Sequence, residues 1–198
     1  VQGKDVVVHM AANPEGNAPW ESVLHNNIVG TYNVFDACRI AKVKRVVYAS
    51  TIMVSWSYME DEPYKSIVEG RYQDVPPDFT IVTKDMPIRP SGFYPSSKVW
   101  GEAIARYYSD IHNMSMICLR IGGIRHPDRP LDNPMWHSIW CSQKDMAHMV
   151  EKCIEAPKDL KYDIFYVVSN NKWRFVDIEH AKTVVGYQPV YSAEDVVQ

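Results

Sequence analysis

Tyr94-Pro95-Ser96-Ser97-Lys98 sets a phenol and an ammonium four residues apart. In a helix that spacing puts both side chains on one face. An ammonium held beside a phenol stabilises the phenolate and lowers its pKa from about 10. A phenolate near neutrality can take a hydroxyl proton while hydride leaves the same carbon. The spacing alone is not specific: the chain has 12 tyrosines, and a surface tyrosine beside a solvated lysine reads the same way. Its neighbourhood adds weight. Ala49-Ser50-Thr51 ends a strand-like run and offers two hydroxyls where open α/β sheets bind ligands, although simple strand-end capping would use the same residues.

The elements that must position these groups alternate in type. Asp5 to Met10 is a short, mostly apolar run, as a strand buried on both faces should be. Trp20 to Ala41 carries Val23, Leu24, Ile28, Thr31, Val34, Phe35 and Cys38 at helical spacing. Arg45 to Ser50 is a second strand, and Ser96 to His112 a second long helix. Met116 to Ile121 and Asp163 to Val168 are further strands. Ser142 is placed to N-cap a helix running to Ile154, and Gly186 to close one over Ile178 to Val185. Between Ser55 and Pro90 the pattern fails, and the stretch reads as a long loop or insertion. Strands alternating with helices predict a parallel sheet covered on both faces.

Composition narrows the function classes. The 198 residues suffice for one domain with a core, and a net charge of −3 advertises no nucleic-acid face. The longest strand-like apolar run, Ile164 to Val168, is far too short to span a bilayer. Cys38, Cys118, Cys141 and Cys153 lie far apart and read as reduced, buried thiols of a cytoplasmic protein. His9, His25, His112, His126, His137, His148 and His180 show no metal spacing, so no metal is expected. Trp136, Trp140, Trp173 and Phe175 read as core.

Five segments in this order resemble the extended short-chain dehydrogenases/reductases. They are Asp5 to Ala12, Asn27-Ile28-Val29-Gly30-Thr31-Tyr32-Asn33-Val34, Val47 to Thr51, Tyr94 with Lys98, and Leu119-Arg120-Ile121-Gly122. Within that family the chain is similar to the uronate dehydrogenase-like branch, through Arg120 to Gly122, Trp140 to Ser142, Ser169 to Asn171 and Asp177. The resemblance implies an α/β fold: a Rossmann-like, doubly wound parallel sheet lacking its first strands, with a small C-terminal substrate lobe. It divides the chain at 1–122 and 123–198, with the insertion near 56–90.

The resemblance also implies roles. Tyr94 would be the general base, Lys98 its partner, Thr51 and Ser50 the substrate-orienting hydroxyls, and Asn27 an anchor of the active-site backbone. Ala11, Ala12, Ala49, Tyr94, Lys98, Ile121 and Gly122 would contact NAD or NADP. Thr51, Ser91, Gly123, Arg125 and Arg129 would face a sugar-like substrate. A homodimer or higher oligomer is expected through the two long helices, with Ile28, Tyr32, Phe35, Trp100, Ile104 and Tyr107 as the outer stripe and strand pairing at Val6 to Val8 as a second contact.

Three departures qualify this picture. No Gly-rich turn precedes Asp5 and the first residue is Val1, so the chain is expected to lack the pyrophosphate cradle and to bind NAD poorly. Ile52-Met53 follow Thr51 where dehydratases need an acid and a base. Ile52 and Met135 occupy positions where uronate dehydrogenases carry an amide and an arginine, so only Arg125 or Arg129 could meet a carboxylate. The readings that remain are an NAD(P)-dependent sugar or sugar-acid dehydrogenase, a sugar or nucleotide-sugar epimerase, and a catalytically silent fragment or scaffold.

Overall fold

The computed structural model of the protein describes residues 1–196. Four strands, β1 (Val6–His9), β2 (Arg45–Thr51), β3 (Ser115–Ile121) and β4 (Tyr162–Val167), form one parallel sheet in the order β1-β2-β3-β4. Every residue of β2 is buried, which is why it reads as a run rather than an alternation. Val46, Tyr48, Met116 and Cys118 pack on one side against Phe35, Cys38, Ala105 and Tyr108. Val47, Ile117, Leu119 and Phe165 pack on the other against Met146, Met149 and Cys153. Helices therefore cover both faces, as the alternating pattern predicts. All four cysteines are free and buried.

The first helical run begins as α1 (Trp20–Ser22), widens into a π-helix over Val23–Val29 and continues as α2 (Gly30–Ile40). The single helix expected there thus contains a turn that periodicity did not reveal. π-turns concentrate at functional sites, and this one holds Asn27. The second long helix, α4, spans Phe93–His112 and starts three residues earlier than expected. Pro95 fits its first turn because no N–H is needed there. Mid-helix, α4 lies so close to β2 that a Cβ at Gly101 would sit 2.2 Å from the Tyr48 hydroxyl. Only glycine lets this helix settle on the sheet.

The stretch from Ser55 to Pro90 is not a plain loop. A 3₁₀-helix (Ile52–Glu60), α3 (Tyr64–Glu69) and a short 3₁₀ turn (Tyr72–Asp74) occupy it. Tyr58, Met59, Tyr64, Ile67 and Val82 pack with Tyr166, Val168, Phe175, Val176 and Ile178. A parallel bridge joins Val82 to Val176. This second core also receives Ile139 of α5 (Pro134–Ile139). Ser142 caps α6 (Gln143–Glu155) by accepting from Asp145 N, and Gly186 ends α7 (Glu179–Val185) in a left-handed conformation, both as expected. At the far end of α6, Arg45 donates to the carbonyls of Cys153, Ala156 and Pro157, which fastens β2 to that helix C-terminus. A last short helix, α8 (Ala193–Val196), closes the described chain.

One expectation about the outer helix faces is corrected. Phe35 is 0% exposed and belongs to the sheet-facing core, whereas Tyr32 is 50% and Tyr107 51% exposed. Ile104 packs on the core margin as well.

Candidate active site

A cavity of about 440 Å³ opens beside the carboxyl ends of β2 and β3. That volume falls in the ordinary range for small-molecule sites. β2 contributes Ala49, Ser50 and Thr51, β3 and its turn contribute Ile121, Gly122 and Gly123, and α4 contributes Tyr94 and Lys98. The chain after β1 adds Met10, Ala12 and Pro14. The apolar wall is Ile52, Met53, Trp56, Ile124, Trp136 and Ile139.

Tyr94 and Lys98 share one face of the first turns of α4 and are both buried. Lys98 Nζ donates to the carbonyl of Ala49 at 2.7 Å and lies 5.9 Å from the centre of the Tyr94 ring. Burial holds the Lys98 pKa down at about 8. Burial also raises the Tyr94 phenol, and the neighbouring Thr51 hydroxyl draws it partly back. Desolvation is the larger influence on the phenol, with Thr51 second. Thr51 Oγ1 is itself held by the Met53 amide at 3.2 Å.

Asn27 is fully buried and stitches the site together. Its Oδ1 accepts from Asn13 N at 2.8 Å, and its Nδ2 donates to Asn13 O at 3.1 Å and to Ser97 Oγ at 3.2 Å. Ser97 Oγ in turn donates to the Tyr94 carbonyl at 2.7 Å. The π-turn thereby locks the loop after β1 to the start of α4.

Ser50 lines the cavity, but its hydroxyl donates to Glu102 Oε1 at 2.6 Å. Glu102 pairs with Arg120 at 3.0 and 2.9 Å, and Arg120 donates to Tyr166, whose hydroxyl meets Ser55. This buried network runs under the site and was not foreseen. The signal was present, since Glu102 follows Lys98 at the same spacing as Lys98 follows Tyr94.

Several expected contacts are not brought together. Ala11 lies in a shallow groove with Ala12, Asn13 and Asn26, next to the cavity rather than in it. Ser91 and Arg129 are exposed, Arg125 is half-buried, and none of the three lines the cavity. The physical reason is a tether: Gln143 N donates to Asp128 and Gln143 Nε2 to the Arg125 carbonyl, so the turn carrying both arginines is fastened to the start of α6. Trp136, expected in the core, instead forms cavity wall, while Trp140 and Phe175 are core as expected.

The donor set fits the nicotinamide-ribose end of a dinucleotide. An ammonium offers three N–H donors, and Lys98 commits one to Ala49 O within the cavity. Ala12, Ile121 and Gly122 supply a mostly apolar surface for a flat ring. Among the described residues no cluster of His, Cys, Asp and Glu could hold a metal ion, and no helix is long and apolar enough to cross a membrane.

Known proteins carry the same fold and sequence pattern. Residues 1–129 match the model of the NAD dependent epimerase/dehydratase family. The chain is 34% identical over 189 residues to an NAD-dependent glucose-6-phosphate dehydrogenase of Haloferax volcanii, covering 96% of this chain and 69% of that protein. It is 32% identical to an L-arabinose 1-dehydrogenase (NAD(P)(+)) of the same organism, covering 100% and 78%. A solved uronate dehydrogenase variant from Agrobacterium tumefaciens in complex with NAD superimposes with a TM-score of 0.77 at 26% identity, covering 98% of this chain and 64% of that one. The chain thus spans under two thirds of that solved structure. The expected kinship with extended short-chain dehydrogenases/reductases, and with their uronate dehydrogenase-like members, holds: this chain belongs to the NAD-dependent epimerase/dehydratase family.

Proposed function

We propose that these residues form the substrate and hydride-transfer end of an NAD(P)-dependent sugar dehydrogenase. The observation that carries the reading is the meeting of the Tyr94 phenol, the Lys98 ammonium and the Thr51 hydroxyl in one cavity at the strand ends. Thr51 orients the substrate hydroxyl oxygen. Tyr94, as phenolate, takes the hydroxyl proton. Lys98 keeps a positive charge beside the phenol and offers its free N–H donors to the nicotinamide ribose. A dinucleotide held by Lys98, Ala12, Ile121 and Gly122 would supply the two-electron oxidant as hydride acceptor, while Tyr94 takes the hydroxyl proton, so that an alcohol would leave as the carbonyl. Asn27 keeps the loop after β1 and the start of α4 in register. The cofactor names of the relatives support NAD or NADP as the oxidant. The exposed Tyr32 and Tyr107 on the two long helices support association as a homodimer through that face.

Substitution of Tyr94 tests the reading. Tyr94→Phe in the holoenzyme is expected to lower turnover by roughly 10² or more while cofactor affinity stays within about twofold. Retained turnover would remove Tyr94 from the role of base. A sugar epimerised without net release of NADH would replace the dehydrogenase reading with the epimerase one.

A further inference from the structure

The cavity wall carries information about the substrate that the catalytic residues do not. Ile52, Met53, Trp56, Ile124 and Trp136 line it. Among the described residues that line the cavity, Lys98 is the one cation; one of its N–H donors is on Ala49 O and the others are those assigned above to the nicotinamide ribose, which leaves no cation for an anionic group on the substrate. Arg120 lies beneath the floor with its guanidinium bonded to Glu102 and Tyr166. Arg125 and Arg129 sit on the tethered turn outside the lining. A carboxylate or phosphate brought into such a wall would give up its hydration without gaining an ion pair, and unpaired buried anions are strongly disfavoured.

Trp136 is built into the cavity rather than left there. α5 opens with Pro134, and Asn133 caps it by accepting from Trp136 N at 2.9 Å. Its last turn is pinned to the strand-end turn, because Gly123 N donates to Ile139 O at 2.8 Å and Cys141 N to Gly123 O at 3.0 Å. The indole then passes so close to that turn that a Cβ on Gly123 would lie 2.6 Å from its Cζ3. A rigid aromatic ring is thereby fixed in the cavity lining against Gly123. Such rings take the C–H surface of a sugar ring, leaving its hydroxyls for the rim.

We propose that the substrate is an uncharged aldose, not a sugar acid or a sugar phosphate, and that Trp136 is the specificity-determining wall on which its ring packs. The inference rests on the dehydrogenase reading and goes beyond it. Wall and charge act together: the indole recognises the ring, and the absence of a free cation among the lining residues excludes the anionic relatives of that ring.

The test compares kcat/KM of the holoenzyme, with NAD and with NADP, for L-arabinose and D-glucose against D-galacturonate, D-glucuronate and glucose 6-phosphate. A neutral aldose is expected to be favoured by at least about 100-fold, the scale on which a site rejects a group it cannot pair. Preference for a uronate or for the phosphate overturns the inference while leaving the dehydrogenase reading standing. No NAD(P)H from any of the five overturns both. Trp136→Ala is expected to raise KM for the preferred aldose about tenfold with kcat within about twofold, and Trp136→Phe to restore most of the affinity. Trp136→Leu keeps apolar bulk without the flat ring, so wild-type KM in that variant would overturn the role given to the indole even if the alanine variant does not fold.

Discussion

Lys98 reaches across from α4 to donate to the Ala49 carbonyl of β2 at 2.7 Å, from a position only 2% exposed. Its ammonium is therefore held where charge is costly, and the depressed pKa of about 8 expresses that cost. The folded state releases the proton near 8 and the unfolded chain near 10.5, so stability rises with pH across that window and is lowest below it. Lys98→Met is expected to be at least as stable as wild type at pH 7 by urea denaturation, and to lose the rise between pH 8 and 10.5. The same variant should lose NAD(P)H formation. A variant several kcal/mol less stable at pH 7 would contradict this account.

His9 gives the opposite end of the pH scale. It lies under the site against Phe35 and Tyr48, and burial, helped by the Lys98 charge, lowers its pKa from 6.5 to about 4. The unfolded chain binds a proton below 6.5 that the folded state refuses until about 4, so stability falls as the pH drops through that window. The loss attributable to His9 is on the order of 2–3 kcal/mol. Thermal melts from pH 7 to pH 4 should show a steeper decline for wild type than for His9→Phe.

The Glu102–Arg120 pair is buried on both sides. Removing one partner strands the other charge, which costs roughly 3–5 kcal/mol. Arg120→Met alone is expected to show that loss in urea denaturation. Arg120→Met combined with Glu102→Leu should recover a large part of it, because apolar packing replaces the pair. Additive losses in the double variant would mean that the network contributes through shape rather than charge.

Tyr32, Tyr107 and Ile111 expose apolar surface on the outer side of α2 and α4. Light scattering at micromolar concentration is expected to give a dimer, and Tyr107→Glu a monomer of unchanged helix content. A wild-type monomer independent of concentration would end the proposal of this interface.

Much of the site was legible because its signals are local. Tyr94 and Lys98 are one helical turn apart, and Thr51 closes a strand whose apolar run is plain in the sequence. The 55–90 stretch was not legible because α3 is only Tyr64–Glu69, too short to display two turns of periodicity, and because Val82 finds its partner at Val176. Phe35 was misplaced for a different reason. α2 is apolar on both its sheet side and its outer side, and spacing alone does not say which stripe faces inward. Arg125 and Arg129 were read as the arginines that could meet a carboxylate in place of the one missing at Met135, but the bonds of Gln143 to the turn that carries them hold it at the start of α6.

The Val82–Val176 bridge sets an order of events during synthesis. Tyr58, Tyr64 and Ile67 leave the ribosome long before Phe175, Val176 and Ile178, the residues that cover them. Until then the nascent chain carries an apolar surface with no lid, during seconds of elongation at ~5–20 residues per second. The sheet beneath Tyr94 can form earlier, from β1, β2 and β3. The cavity wall that contains Ile139 and Trp136 is thus completed after its floor, and between the two the nascent chain presents apolar surface of the kind that favours aggregation.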